Sequence, residues 1–341
     1  MSSYKVVSLF SGAGGLDYGF ANEGFEIVFA NDFNRFACET YRHNFSRIFG
    51  HNCSYLKEGD INGLFDSIPE GADILVGGAP CQSWSMMGNR KGADDDRGKL
   101  LYKQVEVLAD KRPRMFVWEN VKGLLSHNNG DSFKLLLKLI EEAGYEAQHR
   151  IFNMSEYEVP QRRERVLIFG KLVGEDIDLS GCIPAKAPRR ALHLQELLMT
   201  ADHKLLSHTN HNRGPQGKAR EVYGAILRPG ENLAFLTDED IAVRFAARGI
   251  TSPPARLRGH RPIYRLRPNE TPPTMVFNGG ANVPWHPWED RSLSVREAAI
   301  IQTFPFAFEF KGGLKEQYKQ VANAVPPLFS SLLAQAIHKQ L

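Results

Sequence analysis

The chain is poor in cysteine, and the four it has, Cys38, Cys53, Cys81 and Cys182, show no C-x-x-C or C-x-x-H spacing. That excludes the common zinc sites and the disulfide framework of a small secreted domain. Long apolar runs are also missing, and none approaches the ~20 residues a membrane span needs. "MSSYKVVSLF" lacks the basic region, apolar core and cleavage site of a signal peptide. Net charge is only +3 over 341 residues, so its distribution is more informative than its sum. Internal repeats and low-complexity tails are absent. The expectation is a soluble, intracellular, cytoplasmic chain with reduced thiols and no membrane contact.

What is present is an alternation of short strands and helices. With 42% hydrophobic residues, the chain can build one large α/β domain and a smaller companion. "KVVSLF", "FEIVFAND", "YLKEGDI", "ADILVGG" and "RMFVWENV" read as strands separated by helical patterns, as a mostly parallel sheet requires. "GKLLYKQVEVLADKRP" puts Leu101, Val105 and Leu108 on one helical face and stops before Pro113. "DSFKLLLKLIEEAG" has an Asp start signal and a Gly stop, and "YEAQHRIFNM" with "RERVLIFGK" reads as a strand pair. After residue 172 prolines and arginines multiply and periodicity fades, to return at "SVREAAIIQTFP". One domain from both ends of the chain, 1–175 plus 315–341, with a second at 176–314, is the expected organisation.

"SLFSGAGGLDYGF" is a strand, a glycine turn and a helix, a geometry that brings backbone N–H groups close to a ligand at a helix N-terminus. It is not the dinucleotide fingerprint, because Asp17 stands where the third glycine should be. Asp32 and Asp60, ending the second and third strands, suit a ribose diol and an adenine amino group. Each alone reads equally well as a helix cap or a solvated turn. Together with the glycine turn they favour an adenosine-containing cofactor. Cys81, in "GGAPCQSWS", follows the fourth strand, where such a sheet presents its chemistry; a thiol there is a candidate nucleophile. Glu119 in "ENV" falls on the neighbouring fifth strand, as a proton donor, a hydrogen-bond anchor or a buried ion-pair partner. "QRRER" adds Gln161, Arg162, Arg163 and Arg165 at the entry to a strand of the same sheet.

The ordered set "SLFSGAGG", "ND", "GDI", "GGAPCQS", "ENV", "QRRERV", "RSLSVREAAIIQTFP" and "QVANAVPP" resembles the bacterial DNA (cytosine-5)-methyltransferases of restriction-modification systems. The resemblance implies the S-adenosylmethionine-dependent, Rossmann-like fold: a mixed, mostly parallel sheet with a smaller irregular target-recognition domain inserted before the C-terminal segment. It implies S-adenosyl-L-methionine bound by Phe10, Gly12, Ala13, Gly14, Gly15, Asp32, Phe33, Asp60, Ile61, Pro80, Leu100 and Asn323. Three departures from the family pattern are mild: Ser8 for a frequent aspartate, Asp32 for glutamate, and Phe33 for tryptophan.

The implied chemistry is attack of Cys81 on carbon 6 of a flipped cytosine. Glu119 would hold the ring N3 and amine, Asn120 the loop geometry, and Arg165 and Arg163 the base carbonyl or a phosphate. The loop "QSWSMMGNRKGADDDRGK" would close on the extruded base. Residues 176–290 match no motif, and the arginines from Arg244 to Arg267, in a stretch without acids, are the candidates for reading bases and phosphates. Their alternative is pairing with the acids of "TDEDIA". The expected partner is double-stranded DNA, with a monomeric enzyme and no bound endonuclease. Modification of transfer RNA, or catalytically inactive DNA binding, are the alternative readings.

Overall fold

The apolar runs of the first half, buried along most of their length, produce one sheet. The computed structural model describes residues 3–80, 96–187, 194–199, 223–251, 263–277 and 283–341. Its strands are β1 (Lys5–Leu9), β2 (Glu26–Asp32), β3 (Leu56–Glu58), β4 (Ile74–Gly77), β5 (Met115–Val121), β6 (Tyr145–Asn153) and β7 (Glu164–Leu172). They form a 7-stranded sheet in the order β3-β2-β1-β4-β5-β7-β6. β3, β2, β1, β4 and β5 run parallel, while β7 pairs antiparallel with both β5 and β6. The order reverses between β1 and β4, which opens a crevice at their carboxyl ends.

Helices cover both faces, because the buried parallel strands are apolar on both sides. On one face α1 (Gly15–Asn22), α2 (Arg35–Phe49) and the C-terminal helix Pro327–His338 enclose a core of Val6, Val76, Val117, Phe169 and Phe329. On the other, α4 (Asp96–Lys111) and α5 (Asp131–Glu142) close over Leu9, Leu75, Phe116, Trp118 and Ile168. Between them in sequence lies the short α3 (Ile61–Leu64). Leu101, Val105 and Leu108 are buried, as the helical spacing requires. Asp131 is the first helical residue of α5, and Gly130, in left-handed conformation, takes the N-cap position instead.

The chain divides into two compact units. One comprises Met1–Val159, Arg163–Arg189 and Ala324–Leu341; the other comprises Pro160–Arg162 and Arg190–Asn323. Both junctions fall later than the sequence boundaries at 175 and 315. Ile177 and Cys182 pack into the first unit's core. In the second unit, α6 (Leu194–Met199), α7 (Asp238–Ala247), α8 (Val295–Ile301) and α9 (Leu314–Asn323) follow in order. Tyr318 on α9 donates its hydroxyl to the Leu293 carbonyl at 2.6 Å, which ties α9 to the residues leading into α8. The C-terminal helix of the first unit is α10 (Pro327–His338). The second unit's core gathers Tyr223, Ile226, Leu233, Ile241, Phe245 and Trp285 around α7, whose N-terminus carries a Thr237–Asp240 capping box. Among the described residues no helix is long and apolar enough to cross a membrane.

Candidate active site

The glycine turn between β1 and α1 lies flat against α2. Gly14 is left-handed (φ 87) and caps α1; a Cβ there would meet Phe45 at 2.6 Å and Tyr41 at 2.9 Å. Gly12 donates its N–H to Asp32 Oδ2 at 2.8 Å, and Asn34 N donates to Oδ1 at 2.7 Å. Burial raises the Asp32 carboxyl above its ordinary range, and those two N–H donors oppose the shift. Phe10 has positive φ (56), while Ala13 and Gly15 are buried in the turn. Phe33, next to Asp32, leaves its ring 78% exposed. Asp60 caps α3, accepting from Asn62 N at 2.8 Å and Asn62 Nδ2 at 2.9 Å, so the cap reading left open by the sequence is realised. Ile61 is buried behind it, and Pro80 and Leu100 are half-buried. Asn323 ends α9 in the second unit and is exposed.

Beneath the turn lies a group that sequence reasoning passed over. Asp17 is fully buried and accepts from Ser8 Oγ at 2.6 Å and Tyr41 OH at 2.9 Å. Burial pushes its pKa up to about 6, against the pull of those two bonds. Ser8 is thus the hydroxyl partner of a carboxyl supplied from α1. The available signal was an Asp two residues after the paired glycines, on the inward side of α1.

At the crevice, β5 and β7 set the acid beside the base. Glu119 stands opposite Leu167 in the antiparallel register, and Arg165 is two residues along β7, on the same face. Arg165 Nε lies 2.8 Å from Glu119 Oε1, and both side chains are largely buried. Oε1 accepts no aligned hydrogen bond, so the contact is an ion pair that leaves the carboxylate's acceptor capacity unspent. Asn120, on the opposite face, donates Nδ2 to the Ala79 carbonyl at 3.4 Å and accepts from Val121 N at 2.9 Å. Gln161 is buried in the second unit, its Nε2 donating to Gln302 Oε1 at 2.8 Å. Arg163 is 1% exposed and donates Nη2 to the Ala324 carbonyl at 3.1 Å. A guanidinium so enclosed does not fit the expected phosphate contact; it holds the chain entering α10. Cys81 and residues 82–95 of the expected closing loop lie outside the described residues, while the last four of that stretch, 96–99, are not loop but the first turn of α4.

The arginines of the second unit correct another expectation. Arg244 forms a two-pronged pair with Glu231, Arg265 and Arg248 both reach Asp290, and Arg267 pairs with Glu270. Arg265 is 4% exposed and also donates to the His286 and Glu289 carbonyls. Arg244 and Arg265 brace the unit while Arg248 and Arg267 pair on its surface, and the partners of all four come from outside the arginine stretch and outside "TDEDIA". Arg256, Arg258 and Arg261 lie outside the described residues.

Comparison with known proteins agrees with this arrangement. The family model for C-5 cytosine-specific DNA methylase matches residues 4–339. The Type II methyltransferase M.FnuDI of Fusobacterium nucleatum is 34% identical, covering 99% of this chain and 95% of its own. The Type II methyltransferase M.NgoFVII of Neisseria gonorrhoeae is 33% identical over 98% of this chain and 86% of its own. In fold, a DNA modification methyltransferase encoded within a prophage of E. coli superposes with a TM-score of 0.74 at 21% identity, covering 99% of both chains. A carboxylate and a guanidinium meet at the carboxyl end of a parallel sheet, beside the strand that leads into a Pro-Cys pair, and nearly the whole length fits one model: the chain belongs to the C-5 cytosine-specific DNA methylase family.

Proposed function

We propose that the chain transfers a methyl group from S-adenosylmethionine to carbon 5 of cytosine at a specific sequence in double-stranded DNA, with Cys81 as the covalent nucleophile. The observation that carries this reading is the Glu119–Arg165 pair, held beside the strand end that precedes Cys81. The cofactor suits the residues around the glycine turn. The turn is a left-handed backbone cradle, Asp32 stands against it as a ribose acceptor, and the uncovered Phe33 ring offers a stacking face for adenine. Phe10, Gly12, Ala13, Gly14, Gly15, Asp60, Ile61, Pro80 and Leu100, all of the first unit, complete the proposed contacts. When bound, S-adenosylmethionine supplies an electrophilic methyl group.

Carbon 5 of cytosine is too electron-poor to take that methyl directly. The Cys81 thiolate forms a bond to carbon 6, and the electron pair of the 5,6 double bond makes carbon 5 nucleophilic. Glu119 accepts from the exocyclic amine and holds N3, stabilising the charge that develops as sulfur adds. Arg165 keeps the Glu119 carboxylate in place and offers its remaining N–H groups to the base carbonyl. After methylation the carbon 5 proton departs to a base, the carbon 6–sulfur bond breaks, and the thiolate is restored. The base must leave the duplex stack first, at a few kcal/mol. We read the enzyme as a monomer that binds no endonuclease.

Tritium transfer from labelled S-adenosylmethionine into mixed-sequence unmethylated duplex DNA tests the reading. DNA should be labelled at least about tenfold faster than transfer RNA, as a major-groove reader requires. Faster labelling of transfer RNA, or DNA binding without any transfer, overturns it. The match to the C-5 cytosine-specific DNA methylase family model favours DNA.

A further inference from the structure

Among the described residues, the apolar layer under α4 contains a buried amide with no hydrogen-bond partner. Gln104 is fully buried, one turn beyond Leu100, among Leu101, Val105 and Leu108. Neither its Nε2 nor its Oε1 has a hydrogen-bond partner, and the nearby layer also holds the unpartnered Trp118 Nε1. Unpaired buried amide atoms are destabilising, and methionine would fill the same space without that penalty. Sealed from solvent, the amide cannot reach a ligand in the open crevice without moving. What it touches is backbone: a Cβ on Gly77 would lie 2.2 Å from Nε2 and 3.1 Å from the Leu9 carbonyl. Glycine at 77 is what lets the amide approach.

Gly77 is the last residue of β4, and the chain runs from it to Pro80. The next two residues also lie close to side chains from neighbouring elements. A Cβ on Gly78 would stand 3.5 Å from Glu119 Oε2, and the Ala79 carbonyl accepts from Asn120. Gln104 packs close to the segment on one sheet face, where Asn120 bonds the Ala79 carbonyl, and Glu119 lies beside it on the other. We propose that Gln104 is a positioning residue: its contact with Gly77 sets the depth of the Gly77–Pro80 segment relative to Glu119, for the methyl transfer proposed above, on which this inference rests.

The test compares wild type with Gln104→Met, Gln104→Ala, Gly77→Ala and the Gly77→Ala/Gln104→Ala double variant. Each is assayed for tritium transfer into mixed-sequence unmethylated DNA at saturating cofactor and DNA, and each is melted. Gln104→Met should melt no lower than wild type, and up to about 4 °C higher, because it removes the orphaned amide. Its kcat should fall about tenfold, with the cofactor KM within about twofold of wild type. Gly77→Ala should lose at least as much activity, and the double variant should match Gln104→Ala alone, the non-additivity of two residues acting through one contact. Unchanged kcat in Gln104→Met overturns the proposal. So do losses that add, or a kcat loss accompanied by a lower melting point and a raised KM, since those describe a residue serving the fold at large. Absence of transfer by wild type counts against the proposed reaction instead. The inference is then decided by the iodoacetamide alkylation rate of Cys81, which should differ between wild type and Gln104→Met and overturns the proposal if equal.

Discussion

Arg165 Nε stands 2.8 Å from Glu119 Oε1, a diagonal pair across the antiparallel β5–β7 ladder. Strand register, not loop placement, sets the two backbones that carry the pair. Glu119→Gln keeps the shape but removes the charge that holds Arg165. Its kcat should fall on the order of 10²–10³-fold. Arg165→Ala should fall comparably, and the double variant should show a coupling of about 1–2 kcal/mol, measured from kcat/KM by a double-mutant cycle. Strict additivity would mean that the pair is not a unit in the reaction.

Asp17 makes stability depend on pH with a definite sign. Its folded pKa, about 6, lies above the ordinary 3.8 because burial disfavours the charged form. The folded chain therefore holds the proton more tightly, and this contribution is complete below about pH 4 and lost as pH rises through about 6. The loss is on the order of 3 kcal/mol. Asp17→Asn should flatten the fall in stability across that window, as read from urea midpoints at several pH values. An identical slope in both proteins contradicts the assignment.

The cysteines other than Cys81 are shielded. Cys38 and Cys182 are buried, with thiols pushed up to about 12, and burial also raises that of Cys53. Native protein should therefore release one thiol per chain to Ellman's reagent at neutral pH, and four once denatured. Two or more fast thiols in the native protein would be inconsistent with that burial.

Arg265 should behave as a brace. Arg265→Ala removes a buried guanidinium that pairs with the half-exposed Asp290 and donates to the His286 and Glu289 carbonyls, and should cost about 1–3 kcal/mol of the second unit's stability. The slope of DNA affinity against salt should stay as in wild type, because no phosphate contact is lost. A slope lower by about one, with stability intact, would return Arg265 to the DNA-contacting set.

Much of this was legible in the sequence for a physical reason. Strands such as "KVVSLF" and "RMFVWENV" carry their own apolar pattern, and the placement of Glu119 on the strand beside β4 followed from strand order. The Glu119–Arg165 contact was not legible, because it depends on the register of β7 against β5, which no local pattern encodes. The arginine stretch misled for a similar reason. Its acid partners, Glu231 and Asp290, are brought in by the tertiary fold. Gln104 left a readable trace: a polar residue on the apolar face defined by Leu101, Val105 and Leu108.

The most direct measurement is covalent capture on duplex DNA containing 5-fluorocytosine, with S-adenosylmethionine present. Fluorine cannot leave carbon 5 as a cation, so an enzyme that attacks through Cys81 should stall as an adduct that survives denaturation and shifts on a denaturing gel. Cys81→Ser, a far weaker nucleophile at neutral pH, should bind DNA and cofactor yet form no shifted band. Shifted bands of equal intensity from both proteins would show that another residue attacks the base, and no band from wild type on DNA it methylates would contradict covalent catalysis.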